Sequence, residues 1–195
     1  MDQETEAALV VRLRAGEHAA FDEVYDAYRA RLYTFLVRLS RSREVADDLI
    51  EELWLRLVIH AGRLRPDTRV GAWLFAVARN IYLNYCRSRA CDASVESAAM
   101  AIWPTSPAEP SPFEATAANE LERRIERAIT VLPCRYREVL LLVAVEGFSQ
   151  AEAAAVCELT PEALRQRLSR ARAMLAREVD RVGDAPAAAW REARS

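Results

Sequence analysis

Apolar residues along this chain recur at steps of three and four, and no stretch shows the strict alternation of a half-buried strand, so the pattern predicts an all-α protein. A first block runs over about residues 5–90. Its opening helix carries Ala8, Leu9 and Leu13 and stops at Gly16. The next places Phe21, Val24, Tyr25, Tyr28, Leu32, Phe35, Leu36 and Leu39 on one wide apolar face, as in a helix packed into a bundle. A third helix from Arg43 to about His60 turns Val45, Leu49, Leu53 and Leu57 inward. After the polar break Arg65-Pro66-Asp67-Thr68, a fourth carries Trp73, Leu74, Val77, Ala78, Ile81 and Tyr85. Four such helices close a small core.

The pattern then lapses. Residues 91–117 hold Pro104, Pro107, Pro110 and Pro112 among Ser, Thr, Ala and Glu, with no basic residue, a composition that predicts a flexible acidic linker. A second block, residues 118–181, starts with the stripe Leu121, Ile125 and Ile129, broken at Leu132-Pro133. Val139, Leu140, Val143 and Ala144 form the next inward face, stopped at Gly147. Ser149 with Glu152 reads as a capping box, and Thr160-Pro161-Glu162 as an N-cap with proline at the first helical position. The last helix buries Leu164, Leu168, Ala171 and Leu175 and turns Arg165, Gln166, Ser169 and Arg172 outward. Two short helices, a tight turn and a longer basic helix describe a helix-turn-helix unit suited to the major groove. Residues 182–195 form a tail in which Trp190 belongs to a short docking helix or, the favoured reading, to a frayed end. The expected fold is thus two small helical domains, a four-helix N-terminal bundle and a C-terminal helix-turn-helix domain, joined by a flexible linker.

Composition changes this picture in two respects. The formal charge of −2 does not mark a nucleic-acid binder, but the charges are segregated: Arg165, Arg167, Arg170, Arg172 and Arg177 crowd one stretch. The sequence contains no lysine, so every cationic contact must come from a planar guanidinium, and lysine-based catalysis is excluded. Cys86, Cys91, Cys134 and Cys157 form no C-x-x-C pair, and Cys86 to Cys91 is a poor zinc spacing. They read as reduced thiols, a thiol sensor being the lesser alternative. No metal, cofactor or small-molecule substrate is expected. No apolar run reaches the ~20 residues of a membrane span. The start Met1-Asp2-Gln3-Glu4 is acidic, unlike a secretory signal, so the expected location is the cytoplasm without membrane insertion.

Several strings occur in a telling order. Phe21-Asp22-Glu23-Val24-Tyr25-Asp26-Ala27-Tyr28, Leu32-Tyr33, Ala46-Asp47-Asp48-Leu49 and Gly71-Ala72-Trp73-Leu74-Phe75-Ala76-Val77-Ala78-Arg79-Asn80 precede the linker. Leu132-Pro133, Arg137-Glu138-Val139-Leu140, Glu146-Gly147-Phe148-Ser149, Ala151-Glu152 and Arg167-Leu168-Ser169-Arg170-Ala171-Arg172 follow it. In this order they resemble the extracytoplasmic-function (ECF) sigma factors of RNA polymerase.

The resemblance implies three contact sets. Asp47, Asp48, Glu51, Glu52 and Leu53 would dock on the clamp helices of core RNA polymerase, where complementary charge sets encounter rate and register; the plain alternative is that these carboxylates favour the helix dipole. The loop from Arg63 to Ala72 would read a base from the melted minus-ten element. Arg63, Arg65, Arg69, Arg79, Asn80, Tyr82, Asn84, Arg87 and Arg89 are the candidate contacts there. Arg79 equally suits a brace across helices, and Trp73 is read as core. Thr160, Arg165, Gln166, Ser169, Arg170 and Arg172 would meet the minus-thirty-five element of promoter DNA. The linker would thread the polymerase channel, and an anti-sigma factor would hold the free protein.

Three departures stand out: Glu51 where the family has glutamine, Asn84 where it has aspartate, and Glu162-Ala163-Leu164 where Gly-Thr-Val is usual. The last removes a phosphate-binding threonine and adds a charge that repels phosphates. Competing readings are a stand-alone helix-turn-helix regulator and a sigma-like decoy that titrates an anti-sigma factor. An enzyme is disfavoured, since no Walker motif, Gly-rich phosphate loop or plausible catalytic triad occurs.

Overall fold

The structure, a computed structural model, describes the backbone of residues 3–96 and 120–192 and the side chains of residues 5–89 and 122–181. All regular structure among the described residues is helical. The chain divides into two compact units, Met1–Pro107 and Ala108–Ser195. Of the linker expected at 91–117, residues 91–96 continue the last helix of the first unit, and 97–117 lie outside the described residues.

In the first unit α1 (Gln3–Arg14), α2 (His18–Ser40), α3 (Arg43–His60) and α4 (Val70–Glu96) follow one another, with a single 3₁₀ turn at Ala61–Arg63. Each junction has a local cause. Gly16, at φ +75°, takes the left-handed conformation that ends α1, and the Glu17 N–H closes back on the Arg12 carbonyl at 3.1 Å. The Arg12 guanidinium then reaches Glu17 (3.1 Å) and Glu23 (2.8 Å), tying the end of α1 to the start of α2. Between α2 and α3, Arg41 turns the chain in the left-handed region, and the Ser42 hydroxyl accepts the Val45 N–H at 3.3 Å. α2 packs against both α3 and α4, and α1 against α2 and the 3₁₀ turn.

Leu9, Val10, Leu13, Val24, Leu32, Phe35, Leu36, Leu39, Leu49, Leu53, Leu57, Leu74, Phe75, Ala78 and Ile81 make the core. Phe35 and Phe75 meet edge to face at 5.1 Å. Burying a leucine of this kind contributes about 1.5–3 kcal/mol. The expected faces hold in the main, but Ala8 is exposed while Val10 is buried, Val45 is half-buried while Ala46 is in the core, Trp73 is half-buried, and Tyr25 lies outward, its ring 4.9 Å from that of Trp54.

Gly71 is required by a close approach. A methyl group added there would stand 2.9 Å from the Tyr28 hydroxyl oxygen and 3.1 Å from Cε1 of a buried ring. Gly71→Ala is therefore expected to destabilise the first unit by about 1–2 kcal/mol, the overpacking outweighing the gain in helix propensity. Thermal melting of Gly71→Ala alone and combined with Tyr28→Phe checks this. The pair should recover part of the loss, and no recovery would mean that the hydroxyl contact is not its source.

The second unit comprises α5 (Glu120–Val131), α6 (Cys134–Leu140) continued by a π turn at Leu141–Val145, α7 (Gln150–Cys157) and α8 (Pro161–Glu192). α5, α6 and α7 all pack on α8. The widened turn corrects one expected face. An unbroken α-helix would keep Val143 and Ala144 in line with Val139 and Leu140, but the extra residue in the turn rotates the face, so Leu141 and Leu142 are buried and Ala144 is exposed. Gly147, at φ +75°, then stops the helix, with the Phe148 N–H bonded to the Leu142 carbonyl at 3.0 Å. The capping box forms as expected: the Ser149 hydroxyl accepts from the Glu152 N–H, and the Glu152 carboxylate accepts from the Ser149 N–H at 2.9 Å. Two helices outrun their expected ends. α4 continues to Glu96, and α8 continues into the tail as far as Glu192.

Candidate polymerase and nucleic-acid interfaces

The outer face of α3 follows from its inner one. With Ala46, Leu49, Leu53 and Leu57 turned to the core, Asp48, Glu51, Glu52, Leu55 and Ile59 share the opposite face, with Asp47 and Val58 at its edge. Leu53, expected on the docking surface, is fully buried and belongs to the core, a correction its spacing from Leu49 and Leu57 explains. In its place stand three aliphatic side chains that the sequence reading did not single out: Leu55, Val58 and Ile59 are 60%, 62% and 61% exposed. Glu52 accepts two hydrogen bonds from Arg56, at 3.0 and 2.6 Å. Burial, and then a hydrogen bond with the Asp47 carboxylate, raise the Tyr33 hydroxyl above its ordinary pKa, so Asp47 is fixed against α2. The surface is acidic at one end and apolar at the other.

Past α3, Leu64 is buried and anchors the loop before α4. Arg63, Arg65 and Arg69 are exposed, but two of them are held by carboxylates. Arg65 donates to both oxygens of Asp67, each at 3.1 Å, and Arg69 Nε lies 3.3 Å from Glu6 Oε2, a buried carboxylate on α1. On α4, Asn80, Asn84 and Arg87 fall on one face with a half-buried Trp73, while Arg89 packs over the Tyr85 ring at 5.8 Å. Trp73 was expected in the core; it sits at the core's margin.

Tyr82 and Arg79 do not join that outer face. Tyr82 is buried, which removes it from any surface contact in this conformation. Arg79 is buried too, its Nη1 donating to Asn80 Oδ1 on the same helix at 3.4 Å. Cys86 is half-buried; burial pushes its thiol up against a smaller opposing hydrogen bond with Tyr82, so it carries little thiolate and makes a poor sensor.

In the second unit α8 begins on a formed cap, the Thr160 hydroxyl accepting the Ala163 N–H at 3.1 Å. Leu164, Leu168 and Ala171 are buried, and Thr160, Glu162, Arg165, Gln166, Ser169, Arg170 and Arg172 are exposed. Arg167, on the inner flank, donates to Glu138 of α6 at 2.9 Å. A carboxylate at the head of α8 engages two of the expected contact residues: Glu162 is ion-paired with Arg165 and accepts from Gln166 Nε2 at 3.3 Å.

Comparison with known families agrees with this division. The family model for sigma-70 region 2 matches residues 24–90, and that for sigma-70 region 4 matches residues 122–175. The ECF RNA polymerase sigma factor EcfG of Rhodopseudomonas palustris is 34% identical over 144 residues, 74% of this chain and 76% of that protein. The chain belongs to the ECF sigma factor family. RNA polymerase sigma factor CarQ of Myxococcus xanthus is a further relative of this sigma factor, 30% identical over 82% of this chain and 88% of that one.

Two solved structures share its fold. Sigma factor RpoE of Bartonella quintana, in complex with the anti-sigma factor NepR, superposes with a TM-score of 0.68 at 23% identity, covering 82% of this chain and 96% of that one. CnrH, in complex with the cytosolic domain of CnrY, gives 0.65 at 23% identity, covering 90% and 97%. The region 2 match thus covers α2 from Val24, α3 and α4 as far as Ala90, and the region 4 match runs from α5 into α8. Among the described residues no group of His, Cys, Asp and Glu is arranged to hold a metal ion, and no helix is long and apolar enough to cross a membrane.

Proposed function

We propose that this sigma factor directs core RNA polymerase to promoters through three surfaces, without catalysing a reaction of its own. The outer face of α3 docks on the polymerase, Asp47, Asp48, Glu51 and Glu52 steering the encounter and Leu55, Val58 and Ile59 supplying the area taken from water. The loop with Arg63, Arg65 and Arg69, and the α4 face with Asn80, Asn84 and Arg87, receive the melted minus-ten strand, with Arg89 reaching it from outside that face. α8 enters the major groove of the minus-thirty-five element with Arg165, Gln166, Ser169, Arg170 and Arg172, and the Thr160 hydroxyl, whose oxygen caps the helix, keeps its proton to donate to a phosphate. Free protein is held in the cytoplasm by an anti-sigma factor, the kind of partner that RpoE carries in its complex with NepR.

The observation carrying this reading is the face of α8: arginines exposed on one side, Leu164, Leu168 and Ala171 buried on the other, preceded by a formed cap and a tight turn. Adding the purified chain to core polymerase on fragmented genomic DNA and sequencing the transcripts tests it. Discrete new start sites sharing two upstream motifs are expected. Polymerase binding without new starts would overturn it in favour of a decoy, and DNA binding without polymerase in favour of a lone regulator.

A further inference from the structure

The exposed side of α8 is ordered in a way its arginine content hides. Looking outward from the buried line Leu164, Leu168 and Ala171, the residues nearest the middle of the opposite face are Glu162, Gln166, Ala173 and, a turn further on, Arg177. Ser169, Arg165 and Arg172 border this line on one edge and Arg170 on the other. The middle of a groove-entering helix faces base edges and its borders face the two phosphate strands. The first three turns of the line that faces bases are therefore free of arginine and begin with a carboxylate, placed where phosphate repulsion alone would disfavour it.

That carboxylate is engaged on both sides. Arg165 pairs with Glu162 Oε2, and Gln166 Nε2 donates to Glu162 Oε1 at 3.3 Å. Arg165 is one helical turn from Glu162, at the border nearest the base-facing line. A free arginine side chain samples many rotamers, and bidentate recognition of guanine O6 and N7 requires one of them. A carboxylate that accepts from one Nη leaves the rest of the guanidinium edge available and fixes its plane. In the same way an acceptor on the Gln166 amide nitrogen selects which end of that amide faces outward, and the amide oxygen and nitrogen read different base edges.

We propose that Glu162 is a positioning residue for promoter recognition, holding Arg165 and Gln166 in the orientations with which they read the minus-thirty-five element. The inference rests on the proposed entry of α8 into the major groove. It makes a departure from the family pattern, Glu162 in place of glycine, the source of an altered and sharper base preference rather than a loss. It also predicts effects of opposite sign. Removing the carboxylate takes away a charge that repels phosphates, so binding to unrelated DNA strengthens. It also frees the two readers, so discrimination falls.

The test uses full-length chain assembled with core polymerase and a promoter library randomised across the upstream element, with bound fragments sequenced. Wild type, Glu162→Ala, Glu162→Gln, Arg165→Ala, Gln166→Ala and the double variant Glu162→Ala/Arg165→Ala are compared, with melting temperatures as a control for folding. Glu162→Ala is expected to lose about tenfold in discrimination at the base pairs that Arg165→Ala also affects, the range of one good bidentate contact. Its affinity for unrelated DNA should rise. At the base pairs that Arg165→Ala affects, the double variant should discriminate no worse than Arg165→Ala, and Glu162→Gln, which keeps an acceptor, should retain part of the preference.

Two results would overturn the proposal: unchanged preference in Glu162→Ala, which would leave the carboxylate a repulsive charge only, or altered preference at a base pair that neither Arg165→Ala nor Gln166→Ala touches, which would make it a direct reader. A wild-type holoenzyme with no preference at the upstream element, or Arg165→Ala without effect, would instead sink the major-groove reading itself.

Discussion

Replacing Arg167 with methionine is expected to destabilise the second unit by about 1.5–3 kcal/mol, the range for losing a hydrogen bond to a charged group. Arg167 donates to Glu138 at 2.9 Å, and the two side chains are unequally covered: Glu138 is 4% exposed, Arg167 26%. The asymmetry decides which substitution hurts more. Without Arg167 the carboxylate stays buried and loses a charged partner. Without Glu138 the guanidinium still reaches water, so Glu138→Gln should cost less than half as much. Changing both residues, Arg167→Met with Glu138→Leu, removes both charges and should recover most of the loss. Hydrogen exchange over residues 122–181 measures this within the whole chain, with residues 5–89 as an internal reference. Equal losses from the two single variants, or no recovery in the double variant, would show that the pair is not what holds α6 to α8.

The second large effect falls on binding. Leu55, Val58 and Ile59, each about 60% exposed, stand beside the acidic half of the α3 face. Serine at all three is expected to weaken binding to core polymerase by about a hundredfold, since covering an aliphatic side chain is worth roughly 1 kcal/mol or more. The chain's own melting temperature should not fall, because none of the three contributes to the core. Reversing the charge of Glu51 and Glu52 should act differently, slowing association and altering its salt dependence while leaving dissociation nearly unchanged. Association and dissociation rates of labelled protein with core polymerase separate the two contributions. A triple serine variant that binds as tightly as wild type would remove α3 from the docking surface.

Much of this architecture is written in local signals. The stripes of α2 and α8, the glycine stops at Gly16 and Gly147 and the caps at Ser149 and Thr160 all depend on residues within a few positions of one another, and each forms where the sequence places it. Leu53 is instructive: its spacing marks it as core, the family resemblance recruits it to the docking face, and the spacing prevails because a leucine between Leu49 and Leu57 has nowhere else to point.

The turn at Leu141–Val145 was not legible. Six apolar residues in succession, Val139 to Ala144, carry no phase, so the sequence cannot show that the helix gains a residue there. Nor were the pairings of Arg69 with Glu6 or Arg167 with Glu138, which join residues far apart in the chain. Those pairings decide which arginines belong to the fold and which are offered to a partner, a distinction composition does not contain.

Arg65 is closed on Asp67 and Arg69 on Glu6. A phosphate that takes one of these arginines displaces a carboxylate of the protein instead of joining a bare cation, so each such contact adds little net neutralisation of the DNA and releases fewer of its condensed counterions. The slope of log affinity against log salt should therefore fall short of the number of arginines at the interface. Promoter occupancy then varies less with ionic strength than the arginine content of the DNA-facing helices suggests, and more of the selectivity must come from the bases.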